Sequence, residues 1–385
     1  MSKMNLIHKL NQDMVIKSLT AISSWESGSK SPLVVELDPT TACDLACPGC
    51  ISGELLNQEK FSNERLLKLG VELYDAGVKA VILIGGGEPL AHPAIGDLIT
   101  YFGLNDIQVG ITTNGSFIDR YLDSITQYVN WTRVSMDAGT DDTFRKLRPT
   151  RNNESKFNKI ISNIELLAKN KKKANTLGYS FLIRSQADGR SYNPAGKNIG
   201  LVETENIDEI YIAAQLAKSI GCDYFEPKPS YDNGHSLIMH KKEDMLRAQE
   251  QIEKAKTLED ENFKILESVN LQHSLDSISS VQPKSYIKCP TAELRTLITP
   301  SGAYICPYFR GAQSKNIGDL HGQSFKEMWL GQQRREVMNL HDSSKDCKMH
   351  CIRHETNNQL FKMHQDIHEG IEINSNNLEN EDRFI

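Results

Sequence analysis

Cys43, Cys47 and Cys50 place three thiols close together, spaced C-x3-C-x2-C, just after the apolar run Leu33 to Leu37. Three soft ligands this close suit one polynuclear iron–sulfur centre held by thiolates. Zinc is the rival, but a structural zinc site wants a fourth Cys or His at short spacing. The next histidine is His92. Three protein ligands therefore leave one iron position open to a partner from elsewhere.

A second set of thiols comes late: Cys289, Cys306, Cys347 and Cys351. Four thiolates would close a second site, as iron–sulfur or as zinc. The four-residue spacing of Cys347 and Cys351 predicts one face of a helical turn. Cys222 stands alone and reads as a buried core thiol. His350, His354, His364 and His368 read as a helix surface beside the second site. Clustering of seven of the eight cysteines favours metal sites over disulfides and a reducing compartment, the cytoplasm.

Composition narrows the class. The 385 residues are 39% hydrophobic and 24% charged, with net charge −6. This is the balance of a globular protein, with no overall field to recruit nucleic acid or an anionic membrane. No apolar run approaches the roughly 18 residues of a membrane span. Residues 1–30 read as a helical lead-in, with Leu6, Ile7, Leu10 and Met14 on one face, and lack a signal-peptide core.

The elements that must position the thiols alternate. Strands are expected at 33–38, 80–84, 107–113, 131–137, 178–184 and 222–228. Helices are expected near 62–77, after Pro93, and near 155–171, 205–220 and 241–256. Serial β-then-α units predict an α/β fold with a parallel sheet. A partial (β/α)6 TIM-like barrel fits, with ligands at the C-terminal mouth of its strands; an open doubly wound sheet is the alternative. Period-2 alternation turns Tyr179, Phe181 and Ile183 toward the helices and Ser180, Leu182 and Arg184 inward. It likewise separates Phe225 from Tyr224, Glu226 and Lys228, and Val134 and Met136 from Arg133, Ser135 and Asp137. The polar loop 185–204, with Arg190, Tyr192, Asn193 and Lys197, is a cover for the substrate or an insertion. The expected division is lead-in 1–30, core 31–270, linker 271–287, a small cluster-binding domain 288–370 and a disordered tail 371–385. In the small domain, 296–305 reads as a hairpin, and Ser324 with Glu327 as a capping box.

The opening triad, Gly85-Gly86-Gly87-Glu88-Pro89 after the second strand, and Ser135-x-Asp137-x-Gly139 after the fourth occur in one order. Over roughly 33–260 the chain resembles the radical S-adenosylmethionine (SAM) superfamily. The resemblance implies that Cys43, Cys47 and Cys50 bind three irons of a 4Fe-4S cluster and that SAM chelates the fourth. An electron entering the sulfonium would break its C5′–S bond and give a 5′-deoxyadenosyl radical that abstracts a substrate hydrogen. Gly85, Gly86 and Gly87 would let backbone carbonyls approach the SAM amine, with Glu88 beside it. Ser135 would reach the SAM carboxylate, and Asp137 or Asn114 the ribose. Gly49 departs from the aromatic residue usual before the third cysteine, so no adenine contact is assigned. The late quartet resembles the twitch domain, a shortened SPASM domain, and implies a second, fully ligated auxiliary 4Fe-4S cluster.

The family's reactions leave a choice of substrate. Only 42 residues precede Cys43, too few for the peptide-recognition domain that peptide maturases often carry there. The expectation is therefore a small polar substrate, such as a sugar, cyclitol or nucleotide-sugar, undergoing dehydrogenation, dehydration or epimerisation. Arg184, Glu226 and Lys228 are the candidate residues at its mouth. A SPASM-type peptide maturase is the alternative, and a zinc-bound interaction protein the remote one. The expected electron donor is a flavodoxin or ferredoxin.

Overall fold

The computed structural model describes residues 7–48, 50, 52–185, 204–230, 241–275, 284–347, 351–375 and 382–385. The 186–203 part of the polar loop, Gly49 and His350 lie outside them.

Ten strands make one sheet: β1 (Val34–Leu37), β2 (Ala80–Leu83), β3 (Gln108–Thr113), β4 (Val129–Ser135), β5 (Thr176–Leu182), β6 (Tyr224–Lys228), β7 (Lys264–Ile265), β8 (Arg295–Thr299), β9 (Gly302–Tyr304) and β10 (Asn316–Gly318). Their order is β10-β9-β8-β1-β2-β3-β4-β5-β6-β7. β1 to β7 pair in parallel, each with its sequence neighbour. The expected partial barrel is present, with the short β7 as an added edge.

Local signals formed where they were read. The helix expected near 62–77 is Asn63–Asp75, and the structure adds a cap, Ser62 accepting from the Arg65 amide. Ser324 and Glu327 complete a capping box on Phe325–Trp329. Tyr179, Phe181, Ile183 and Phe225 are buried in the layer between sheet and helices, and Cys222 is buried with them.

The hairpin expected at 296–305 is present as β8 and β9; two other expectations are corrected. β8 also pairs in parallel with β1, Val34 facing Arg295, and β10 follows β9 antiparallel. β1 is buried at all four residues, so its edge needed a neighbour. Within the expected disordered tail, residues 382–385 are docked. Phe384 and Ile385 join a second core with Leu10, Val15, Leu19, Val34, Ile82 and Leu360, and Gln12 Nε2 donates to the Asp382 carbonyl at 2.8 Å. Finally, Val269–Leu275 is a helix where a linker was expected to begin. Among the described residues no helix is long and apolar enough to cross a membrane.

Candidate active site

The cysteine loop follows β1 and leans on the glycine turn after β2. A Cβ on Gly87 would fall 2.3 Å from the Ala42 carbonyl oxygen, and one on Gly85 would overlap the Gly87 oxygen at 1.7 Å. The Glu88 amide donates to that same Ala42 carbonyl at 2.8 Å. Glycine is thus required for two backbones to pack together. From the other side, the Ala46 amide donates to the Pro149 carbonyl at 2.7 Å. The triad thiols are half-buried. Burial pushes all three upward, Cys47 to about 11, and each lies within electrostatic reach of the next.

Glu88 and Asn114 come together beside this loop. Glu88 Oε1 accepts from Thr113 Oγ1 at 2.6 Å and from the Leu90 amide at 3.0 Å; Oε2 accepts from the Asn114 amide at 2.7 Å. Burial pushes its carboxyl up to about 7. Both its oxygens therefore already tie the β2 turn to the end of β3. Asn114 Nδ2 donates to Asp44 Oδ1 at 2.8 Å and lies 3.9 Å from the Cys43 sulfur.

Asp137 and Ser135 stand at the end of β4. Asp137 has φ of +57°, a left-handed backbone that Asp tolerates. Its Oδ1 accepts from the Leu182 amide at 2.8 Å and its Oδ2 from Arg148 Nη1 at 2.5 Å. Arg148 also acts on the Cys47 thiol. The Ser135 hydroxyl has no hydrogen bond among the described residues. It shares a row across the sheet with Ser180 and Glu226.

The mouth residues divide. Arg184 acts on Cys47 and Cys50, beside the thiols. Glu226 is buried and accepts from Lys228 at 3.1 Å and Arg133 at 3.3 Å. Burial opposes its charge, but these two cations hold it below the usual carboxylate range. Burial, reinforced by Arg133, brings Lys228 down to about 8.

Sequence reasoning missed three residues. Asp44 accepts from Asn114, from Ser116 at 2.7 Å and from Lys156 at 2.5 Å. Although burial resists it, these donors keep Asp44 ionised below its ordinary value. Its place next to Cys43 was the available signal. Arg148 and Arg310 carried none, because their partners are remote in sequence.

The late thiols also converge. Cys289 caps the helix Pro290–Leu294, and Cys306 follows β9. Cys347 follows the short helix Ser343–Asp346, and Cys351 precedes His354–His368. The two thus lie on no common described helix, contrary to the spacing argument. All four line one cavity of 30 Å³ with Lys284, Tyr286, His341 and Asn357, and every pair is within electrostatic reach. Asn357 Nδ2 donates to the Cys289 sulfur at 3.5 Å. Among the described residues no three His, Cys, Asp or Glu side chains are gathered at single-ion geometry; the thiols border the cavity rather than meet at a point. Four converging thiols with an amide donor and a buried lysine beside them fit an anionic cluster. His364 and His368 belong elsewhere: both ring Nε2 atoms bond the Ile22 carbonyl, at 2.8 and 3.0 Å.

Inside the sheet lies a larger cavity of 490 Å³ that three of the late thiols border. Its walls are Ile82, Ile84, Thr112, Trp131, Arg133 and Tyr224 from the sheet, and Cys289, Cys306, Cys351 and Arg353 opposite. Glycines admit the two rings. A Cβ on Gly110 would meet the Trp131 ring at 2.2 Å, and one on Gly178 the Tyr224 ring at 2.0 Å.

Comparison with known proteins agrees with this geometry. The Radical SAM superfamily profile matches residues 37–186. The mycofactocin maturase MftC of Mycobacterium tuberculosis is 27% identical over 132 residues, 34% of this chain and 34% of that protein. The GTP 3',8-cyclase of Chlorobaculum tepidum is 31% identical over 119 residues, 29% and 35%. The match thus spans about a third of these curated relatives' length. The crystal structure of Streptococcus suis SuiB bound to precursor peptide SuiA superposes with a TM-score of 0.56 at 16% identity, covering 81% of this chain and 67% of that one; at that identity the likeness is one of fold. The superfamily implies a 4Fe-4S cluster and SAM, and the three thiols, the glycine turn and the free Ser135 hydroxyl fit them. The segment that matches the Radical SAM superfamily, residues 37–186, is the one that carries the thiol triad, the glycine turn and the Ser135–Asp137 strand end.

Proposed function

We propose that this chain is a radical SAM enzyme that modifies a peptide, acting on a side chain held in the cavity inside the sheet. The observation that carries the reading is the apolar wall of that cavity, with Ile82, Ile84, Trp131, Ile305 and Phe384 beside Cys289, Cys306 and Cys351 of the quartet. Such a surface gains by taking up an apolar amino-acid side chain. The names of the relatives support it: one is a maturase, and one fold neighbour holds a precursor peptide.

Cys43, Cys47 and Cys50 would hold the first cluster, and Cys289, Cys306, Cys347 and Cys351 a second. When bound, the first cluster and SAM supply reductive cleavage of the C5′–S bond and hydrogen abstraction. The chain's own residues do the rest. Ser135 binds the SAM carboxylate, and Gly85 to Gly87 keep the path to the amine free of side chains. Asp44 and Asn114 fix the loop that carries the thiols. Four thiolates at the second site leave no open position, which suits electron transfer rather than substrate coordination. A flavodoxin or ferredoxin supplies the electron.

The second reading is a small polar substrate such as a sugar. It is favoured by the charged set Arg184, Glu226 and Lys228 and by the resemblance to a cyclase of GTP. The test is anaerobic reconstitution followed by assay of 5′-deoxyadenosine with peptide and sugar panels. Turnover with peptides alone is expected; turnover with sugars alone reverses the assignment.

A further inference from the structure

The cavity that Cys289, Cys306 and Cys351 border is apolar over most of its wall, yet four cations line it. Three are matched. Arg133 bonds Glu226 and the Thr112 hydroxyl. Arg295 bonds Glu36 at 2.6 and 2.9 Å and the Ile385 carbonyl at 2.6 Å. Lys9 pairs with Asp382 at 2.5 Å. The fourth, Arg353, is different. Its backbone amide reaches the Cys351 sulfur at 3.4 Å, but among the described residues its guanidinium has no hydrogen bond or ion pair. Its Nη1 is buried with no partner.

A buried guanidinium edge without an acceptor is costly and is filled when an anion arrives. Its planar fork matches a carboxylate, with two parallel N–H···O bonds. The surrounding Ile84, Trp131 and Ile305 take an apolar body, while Arg353 takes the acid end. We propose that this cavity binds an apolar group bearing a carboxylate, anchored by Arg353: a hydrophobic residue at a peptide's C-terminus, or a hydrophobic acid. The inference rests on reading the cavity as the substrate site and names the chemistry of what enters it.

The test is anaerobic titration calorimetry of the reconstituted full chain with N-acetyl-L-phenylalanine and with its amide. The acid is expected to bind about tenfold more tightly or better, the usual scale of one charge-assisted pair. R353Q should make acid and amide equal, R353K should keep part of the preference, and Ile84→Trp should weaken both ligands. Iron content should stay at the wild-type value in all three variants. Equal binding of acid and amide by the wild type, or binding of neither, overturns the proposal. So does a preference that survives in R353Q, or loss of about four irons in R353Q, which would assign the arginine to the second cluster. If the acid preference holds while no peptide yields 5′-deoxyadenosine, the peptide reading fails and the carboxylate site stands.

Discussion

Arg310 Nη2 donates to Asp38 Oδ1 at 3.0 Å, with Nε 2.8 Å from Oδ2, across 272 residues of sequence. Asp38 directly follows β1 and receives a hydrogen bond from the Gly86 backbone, and burial pushes its carboxyl up to about 6 against the pull of Arg310. Arg310 also reaches Ser52 at 3.4 Å, two residues beyond Cys50, and stands four residues after Cys306. One guanidinium thus holds Asp38, the partner of the glycine turn, and reaches the triad loop while belonging to the quartet's segment. R310Q should cost on the order of 3 kcal/mol by stranding a buried carboxylate. It should also raise the KM for SAM more than it lowers kcat, measured as 5′-deoxyadenosine release. An unchanged KM would separate the pair from the SAM site.

Removing thiols should act in two blocks. About eight irons per chain are expected after reconstitution, four for each cluster. Cys43→Ala, Cys47→Ala or Cys50→Ala should each remove about four and abolish SAM cleavage. Cys289→Ala or Cys306→Ala should remove the other four and leave some cleavage without substrate turnover. Elemental analysis showing two zincs per chain would end the redox reading.

Lys228 predicts a pH effect of definite sign. Its pKa falls to about 8 in the fold from an unfolded value near 10.5. Below pH 8 it is charged in both states, and the fold bears the full cost of burying that charge. Between 8 and 10.5 the unfolded chain binds more protons, so this group makes stability rise with pH, by at most about 1.4 kcal/mol per unit. Lys228→Met, which leaves the Glu226–Arg133 pair in place, should remove that slope in urea titrations across the range. A slope that persists assigns it to another group.

The glycine at 178 should tolerate no side chain. Gly178→Ala puts a Cβ into the Tyr224 ring, and overpacking of this kind costs about 1–3 kcal/mol. Denaturant midpoints should drop accordingly, and Tyr224→Phe should not rescue, because the clash involves the ring itself.

The docked tail should be structural. Phe384 stacks edge-on against Trp131 at 5.4 Å. Phe384→Ala should cost about 3 kcal/mol through the cavity it leaves. An effect under ~0.5 kcal/mol would show that the tail contributes little.

The amino-acid sequence by itself determined the thiol triad, the glycine turn, the alternation of strands and helices from β1 to β6 and the alternation of side chains along β4, β5 and β6. Each depends on neighbours a few residues apart, through spacing, alternation and the absence of a Cβ. The capping box at Ser324 was legible for the same reason. Tertiary structure alone decided that β8 would complete the exposed edge of β1, and that Cys289 and Cys351 would face one cavity. It also decided that Arg310 would cross to Asp38, that Arg148 would pair with Asp137 within electrostatic reach of Cys47, and that Phe384 would pack on Trp131. Those pairings join segments with no shared local pattern. They form because an unpaired strand edge, a buried charge or an exposed ring is costly until some distant part of the chain covers it, and the sequence does not mark which part that will be.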